Sequence, residues 1–385
     1  MQLVQASAST QANGRTRDLT TPGPGTWQFS ATIARMSLPA AGSTGTASPE
    51  LSVLLPVRDA QTTLRAALDS TLASAGPSLE LVCVDDGSRD DSPAILSECA
   101  RRDRRVRVLT RPARGIAPAL CDALAAARGR LVARMDADDE MHPERLAEQA
   151  RLLDARPDVA LAGCLFESFR AGGLREGFRL YTDWANACAT HEAIAREAFV
   201  DCPVPHPTWM LRRATLERVG GWRELDWAED LDLFYRLLAA GLRVEKVLRV
   251  LHRWRDHDAR LSRRDPRYGR EALARAKAHW LPRVRPISAS VLVGSGRTAR
   301  RYARLLAREG VPTRALIAPA DPAPARAWQG IPLLGPGELA RRAPEWRAAG
   351  SLLLGAAAVR GARERIRGIL SALRLVEGRD FLMLA

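Results

Sequence analysis

From Leu51 onward the apolar positions switch repeatedly between two periods. LSVLLPV (51–57) is a continuous apolar run closed at Pro56, which predicts a short buried strand followed by a turn. Leu64, Leu68, Leu72 and Ala75 then recur at helical spacing, and Gly76-Pro77 ends that helix. LELVCVDDGS (79–88) predicts a second buried strand that stops at two carboxylates and a glycine. A helix holding Ile95 and Leu96, the strand VRVLT (106–110), a helix from about Pro118 to Arg128 closed by Gly129, and the strand RLVARMDADD (130–139) follow. Strands alternating with helices predict an α/β fold whose mostly parallel sheet carries helices on both faces. Ligands of such sheets bind beyond the carboxyl ends of the strands. Asp85, Asp86, Asp136 and Asp138 stand at those ends and are expected to converge on one crevice.

The pattern differs on either side of this region. Residues 1–48 are rich in Ser, Thr, Ala, Gly and Pro, lack periodicity, and read as a disordered extension in which Met36 could serve as an internal start. After Pro286, SASVLVGSGRTARRYARLLAREG restarts the order strand, glycine turn, helix. Gly294, Gly296 and Ala299 fit G-x-G-x-x-A, a form of the dinucleotide fingerprint. The acid expected after the next strand is missing, since RALIAPAD offers only Asp321, late and after a proline. SLLLGAA and DFLML read as further strands. A smaller Rossmann-like domain is therefore expected over 286–385, with NAD not expected as its cofactor. The segment between, 49–285, is expected to be the catalytic domain.

Charge sharpens the picture at the fourth strand. ARMDADDEMHP (133–143) places Asp136, Asp138 and Asp139 within four positions. Two unit charges ~4 Å apart repel by roughly 4 kcal/mol at an effective dielectric near 20, so such crowding calls for solvent, a proton or a cation. Mg²⁺ and Mn²⁺ prefer oxygen ligands, and Mg²⁺ is commonly held by one or two carboxylates together with substrate phosphates. A solvated turn that caps the helix beginning near Pro143 is the plainer alternative. VDDGSRDDS (84–92) repeats the design, and WAEDLDLFYR (227–236) sets Glu229 and Asp230 in a first helical turn, where carboxylates are favourable in any case.

In order, LLPVRDA, VDDGSRDDS, GIAPALCDALAAARGRLVARMDADD, HPTWMLRR, GGWRELDWAEDLDLFYRLL and WRDHDARLS resemble a family 2 glycosyltransferase of the GT-A fold over about Leu51 to Arg285. The resemblance implies an α/β nucleotide-sugar-binding domain. Pro56, Val57, Arg58 and Asp59 would lie near the base and ribose, and Asp86 would hydrogen-bond the base. Asp136 and Asp138 would form the Asp-x-Asp pair, Asp138 being the direct ligand of Mg²⁺ or Mn²⁺. Asp230 would be the general base and Glu229 would position the acceptor. His257 could reach the diphosphate or the metal, and His206 could shape the acceptor site. Either histidine could equally be held by local hydrogen bonds. Trp209, Trp222 and Trp227 flank the acceptor side in motif order, with core packing the alternative for Trp222. The donor would be a nucleoside-diphosphate sugar and the acceptor a saccharide or lipid-linked saccharide, in bacterial surface polysaccharide or glycolipid assembly. The sequence departs from the family at Arg58-Asp59, where Tyr-Asn or a similar pair is usual, and at Cys121, where Asn is common.

The 385 residues carry a net charge of +14, 46% hydrophobic and 26% charged positions, the balance of a globular protein without a membrane-spanning run. The basic residues are nearly all arginine and are spread along the chain, which fits compositional bias; attraction to anionic surfaces is the functional alternative. Peripheral association with the cytoplasmic face of a membrane would suit that charge. Nucleic acid is not expected as a partner, because acidic groups line the predicted cleft. Six cysteines without a C-x-x-C pair fit reduced thiols in the cytoplasm. Two other functions compete. A sugar nucleotidyltransferase would need a glycine-rich basic loop that PVRDAQTTL lacks. A nucleotide- or NAD-sensing binding protein would act through Gly294–Gly296.

Overall fold

The computed structural model describes residues 48–319, 326–357, 359 and 361–384. Met36, most of the N-terminal extension and Asp321 lie outside the described residues. The rest forms one compact unit that contains two sheets.

The first half follows the predicted alternation: β1 (Leu51–Val57), α1 (Leu64–Leu72), β2 (Leu79–Asp85), α2 (Ser92–Arg102), β3 (Val106–Thr110), α3 (Ile116–Ala126) and β4 (Leu131–Arg134). β1 pairs in parallel with β2 and β4, and β2 with β3. All seven residues of β1 and of β2 are buried, as continuous apolar runs in a two-sided sheet should be. Pro56 is tolerated because β1 runs on past its last pair with β4, Leu54 with Arg134. Gly129 enters β4 so close to β1 that a Cβ would lie 2.5 Å from the Ser52 amide nitrogen.

Two helix limits differ from expectation for visible reasons. α1 stops at Leu72 because the Ala75 amide turns away to donate to the Pro143 carbonyl at 2.9 Å. α3 begins at Ile116, two residues before Pro118, because Asp86 accepts from the Arg114 and Gly115 amides at 2.8 and 2.9 Å and fixes the preceding turn. Pro118 then sits in the first turn, where its missing N–H costs little.

The chain continues through β5 (Glu140–Met141), α4 (Arg145–Ala155), β6 (Val159–Phe169), α5 (Glu176–Ala187), α6 (His191–Glu197), β7 (Met210–Arg212), α7 (Arg213–Arg218), α8 (Glu229–Ala239), β8 (Arg243–Arg255), α9 (Leu261–Arg264) and α10 (Arg270–Val284). The sheet order is β3-β2-β1-β4-β7-β6-β8-β5, with β7 and β5 antiparallel to their neighbours. Antiparallel β7 beside β4 carries the chain back from the rim where β4 ends.

The remaining elements are β9 (Ala289–Val293), α11 (Arg297–Arg308), β10 (Thr313–Ile317), β11 (Arg326–Trp328), β12 (Ile331–Leu334), α12 (Pro336–Ala348), β13 (Ser351–Gly355), α13 (Ala362–Ala372) and β14 (Phe381–Met383). They form a second sheet, β11-β12-β10-β9-β13-β14, parallel except for β11. Trp280 and Leu281 of α10 share a buried cluster with Tyr302 and Leu306 of α11. Lys277, also buried, donates to the carbonyls of Val200 and Leu384 at 2.7 and 3.3 Å and joins the segment after β14 to the turn after α6.

Candidate active site

β4 delivers its carboxylates onto a prepared base. Arg134, its last residue, is 2% exposed and forms an ion pair with Asp136. Burial disfavours the Arg134 charge, but Asp136 and then Glu229 and Asp139 more than restore it. One sequestered guanidinium thus holds acidic groups from β4 and α8 in a common field. Acceptor oxygens of Asp136, Asp138 and Asp139 lie within 4.8 Å of one another.

The three aspartates are not equivalent. Asp139 is fully buried; its Oδ1 accepts from the Arg255 amide at 2.8 Å and its Oδ2 lies 2.9 Å from His252 Nε2. Arg145 is 3.2 Å from the other His252 nitrogen, Nδ1, and a guanidinium only donates. His252 therefore carries its proton on Nε2 and donates it to Asp139. Burial, then Asp138 and Asp136, push the Asp139 carboxyl well above its usual range. Asp139 anchors the loop to β8. Asp136 and Asp138 remain about one-quarter exposed. Burial raises the Asp138 carboxyl, but His257, whose Nε2 is 2.7 Å away, and Arg260 outweigh it and leave it below the usual value. The accessible donors are thus two aspartate carboxylates with a histidine beside them, a set that fits a hard divalent cation.

α8 carries the second acidic group. Glu229 is 1% exposed and accepts from the Tyr268 hydroxyl at 2.7 Å through Oε2. Among the described residues its buried Oε1 has no hydrogen-bond partner. His206 faces that oxygen, with Nδ1 3.8 Å away. Trp222 Nε1 donates to His206 Nε2 at 2.9 Å, so the His206 proton sits on Nδ1, toward Glu229. Burial, then Arg134, keeps His206 neutral. Asp230 is partly open to solvent, and its Oδ1 accepts from the Leu231 amide at 2.7 Å. Burial, then Glu229, pushes the Asp230 carboxyl from 3.8 to about 7.

The residues expected near the base behave differently from one another. Pro56 and Val57 are buried within β1. Arg58 and Asp59 emerge beyond it, Arg58 reaching Asp86 at 3.3 Å and Asp59 accepting from the Arg89 amide at 2.8 Å. Asp59 has φ 49°, and its own amide donates to Ser88. Both oxygens of Asp86 are engaged by the Arg114 and Gly115 amides. This group shapes the loops after β1, β2 and β3, while the metal-type carboxylates gather after β4. Trp209 and Trp222 are buried, at 0% and 3% exposure, and belong to the core. Trp227 packs on His279, with ring centroids 5.4 Å apart.

Sequence reasoning missed Tyr268, His252 and Arg255. Tyr268 follows the acidic pair by some forty positions and carried no spacing signal. Arg255 lies in WRDHDARLS and His252 just before it, but neither had a sequence signal for its role, because their partners depend on β5–β8 pairing.

Residues 52–220 match the model of glycosyl transferase family 2. The matched region includes Asp86, Asp136 and Asp138 and stops short of Glu229 and Asp230. The chain is 33% identical over 215 residues to the O-antigen biosynthesis protein RfbC of Myxococcus xanthus, covering 55% of this chain and 16% of that protein. It is 26% identical over 225 residues to the putative glycosyltransferase EpsE of Bacillus subtilis, covering 57% of this chain and 78% of that protein. The chain spans 16%, 29% and 33% of the length of three curated relatives it matches, RfbC being the first of them. Among solved structures it is similar to Staphylococcus aureus TarS 1–349 in complex with UDP-GlcNAc, with TM-score 0.49 and 17% identity over 68% of this chain and 71% of that one. Mannosyltransferase PcManGT from Pyrobaculum calidifontis, in complex with GDP-Man and Mn²⁺, is similar with TM-score 0.44 and 22% identity, over 62% and 64% of the two chains. Among the described residues no helix is long and apolar enough to cross a membrane.

Proposed function

We propose that the chain is an inverting, metal-dependent glycosyltransferase that moves a sugar from a nucleoside-diphosphate sugar to an acceptor hydroxyl. The observation that carries this reading is the pairing of two acidic sets across Arg134. One set, Asp136 and Asp138 with His257, has the donor chemistry of a divalent-cation site. The other, Glu229 and Asp230, contains a carboxyl tuned to about 7. A general base works best with a pKa near the operating pH.

Asp138 and Asp136 would hold Mg²⁺ or Mn²⁺, whose chemistry is to offset the charge that builds on a departing diphosphate. His257 donates to Asp138 and keeps it ionised. Asp230 accepts the proton of the attacking hydroxyl. Glu229, held by Tyr268 and faced by His206, would position the acceptor side of the site beside Asp230. Proton removal on the face opposite the diphosphate gives direct displacement with inversion. Arg58, Asp59 and Asp86 would set the rim against which the base and ribose rest.

The names of two relatives, the O-antigen biosynthesis protein RfbC and the succinoglycan biosynthesis protein ExoO, support surface polysaccharide or glycolipid assembly as the setting. A saccharide or lipid-linked saccharide at the cytoplasmic membrane face is the acceptor this reading assigns. The test is nucleotide release from a panel of UDP-, GDP- and dTDP-sugars with Mn²⁺, Mg²⁺ or EDTA, alongside donor binding by calorimetry. Metal-dependent release that Asp138→Ala and Asp230→Asn abolish is the expected result. Release unchanged in both variants, or no donor binding at all, would overturn it.

A further inference from the structure

A second concave site lies outside the acidic cleft. It is a cavity of about 700 Å³ between the start of α10, the exposed face of α11 and the β11–β12 turn. Arg270, Arg297, Arg300, Arg301, Arg304 and Arg308 line it against one carboxylate, Glu271. Leu305 forms part of its floor and Trp328 stands at its side. The arginines of α11 recur at each turn, so the cationic stripe runs along the helix for about 16 Å at 1.5 Å per residue.

These charges are poorly compensated. Among the described residues only Arg301 has a carboxylate partner, Glu271 at 3.7 Å. Arg300 and Arg304 lie 5.7 and 5.9 Å from the Trp328 ring centroid, a contact that orients cations without neutralising them. Like charges along one groove repel, and a bound anion relieves that repulsion. α11 packs through Ala299, Tyr302, Ala303, Leu305 and Leu306, and the fold does not need the arginines on its other face for that packing.

We infer that this groove binds an extended polyanionic saccharide, a chain bearing carboxylates or phosphates at repeated positions. Its length and the turn-by-turn spacing of cations suit several charged sugar units better than a single phosphate. The arginine fork pairs with carboxylate or phosphate, and the Trp328 ring lies beside Arg300 and Arg304. A lipid surface fits less well. The site is concave, and none of the exposed large apolar residues (Leu180, Leu248, Val250, Leu261, Val359, Ile369 and Val376) lines it. Single-stranded nucleic acid calls for a run of stacking aromatics, and this groove has one. The choice of a saccharide rests on the transferase reading, whereas the binding itself does not require activity.

The experiment is calorimetric titration of the full chain with a defined oligogalacturonate, and with a neutral dextran oligomer, an oligothymidylate and phosphatidylglycerol vesicles. Two variants are compared: Arg297→Ala/Arg300→Ala/Arg304→Ala/Arg308→Ala, and Arg101→Ala/Arg104→Ala/Arg218→Ala/Arg365→Ala, which removes equal charge elsewhere. Binding of oligogalacturonate should fall about tenfold or more in the first set, stay within about twofold in the second, and weaken steeply with salt. Thermal unfolding establishes that each variant is folded; if the first is not, Arg300→Gln/Arg304→Gln takes its place. No binding, equal loss in both sets, or tighter binding of the oligothymidylate or the vesicles would overturn the inference. Because no donor or metal is present, a failed transferase assay leaves this result standing, and the converse holds too.

Discussion

Asp230→Asn separates a functional carboxylate from a structural one, because it should improve stability while removing activity. In the folded chain burial and Glu229 raise the Asp230 carboxyl from 3.8 to about 7. Below pH ~4 both folded and unfolded chains keep the proton, and the site costs nothing. As pH rises toward 7 the unfolded chain releases the proton first, so stability falls, and the loss is complete above the folded pKa. A shift of about three units corresponds to roughly 4 kcal/mol at 1.36 kcal/mol per unit. Asp230 is partly solvated, and screening brings the expectation to about 2 kcal/mol. Asparagine cannot ionise and escapes the penalty. Urea unfolding should show Asp230→Asn more stable by ~2 kcal/mol at pH 8 and by less than about 1 kcal/mol at pH 5. Transfer should drop about 10²- to 10⁴-fold, the usual contribution of a positioned base, and the wild-type kcat/KM should rise through a one-proton limb near pH 7. A variant less stable at pH 8 than the wild type, or a wild-type profile flat from pH 5 to 8, would refute the reasoning.

Asp138→Ala should lower Mn²⁺ affinity and nucleotide release by about 100-fold while leaving the melting temperature within a few degrees, read by calorimetry and a release assay. Glu80→Ala removes a buried carboxylate that accepts from Ser52, Arg107 and the Arg128 amide at 2.7, 2.8 and 2.6 Å, and should cost about 3–5 kcal/mol in urea unfolding. Burial raises the Glu80 carboxyl, but those partners leave it below 4.5, so that cost applies above pH ~4.5 and shrinks as acid protonates the group. Trp222→Phe deletes the donor to His206 Nε2; nitrogen NMR should show a single Nδ1–H tautomer in the wild type and a mixture in the variant, with about 1 kcal/mol of stability lost.

The elements up to Arg134 were readable because each is a short apolar run or a helical stripe ended by Gly, Pro or Asp, and local chemistry decided them. The acidic positions were readable for the same reason, since a carboxylate after a buried strand has to face the rim. What joins them was not. Arg134 stands two positions before Asp136, yet it also serves Glu229, nearly a hundred positions later. That link exists only because antiparallel β7 and the chain beyond it return α8 to the end of β4. His206 was read as either shaping the acceptor site or held by local hydrogen bonds; its tautomer is set by Trp222, which no spacing rule connects to it. Asp86 carries a link that spacing alone does not show: both its oxygens accept from amides of the turn before α3.

The glycine turn of the second sheet needs no dinucleotide to explain it. Gly294 has φ 137°, a region that favours glycine, and a Cβ there would stand 2.7 Å from the Ala356 carbonyl oxygen. Close approach of the loop after β13 therefore demands glycine at the end of β9 whatever binds nearby. At Gly296 a Cβ meets no protein atom within 4 Å, so packing does not demand glycine there. The helix that follows opens with Arg297 and places its arginines in the groove beside Trp328. The same turn that resembles a pyrophosphate cradle thus positions a row of cations along the side of a helix, the feature on which the inferred anion groove rests.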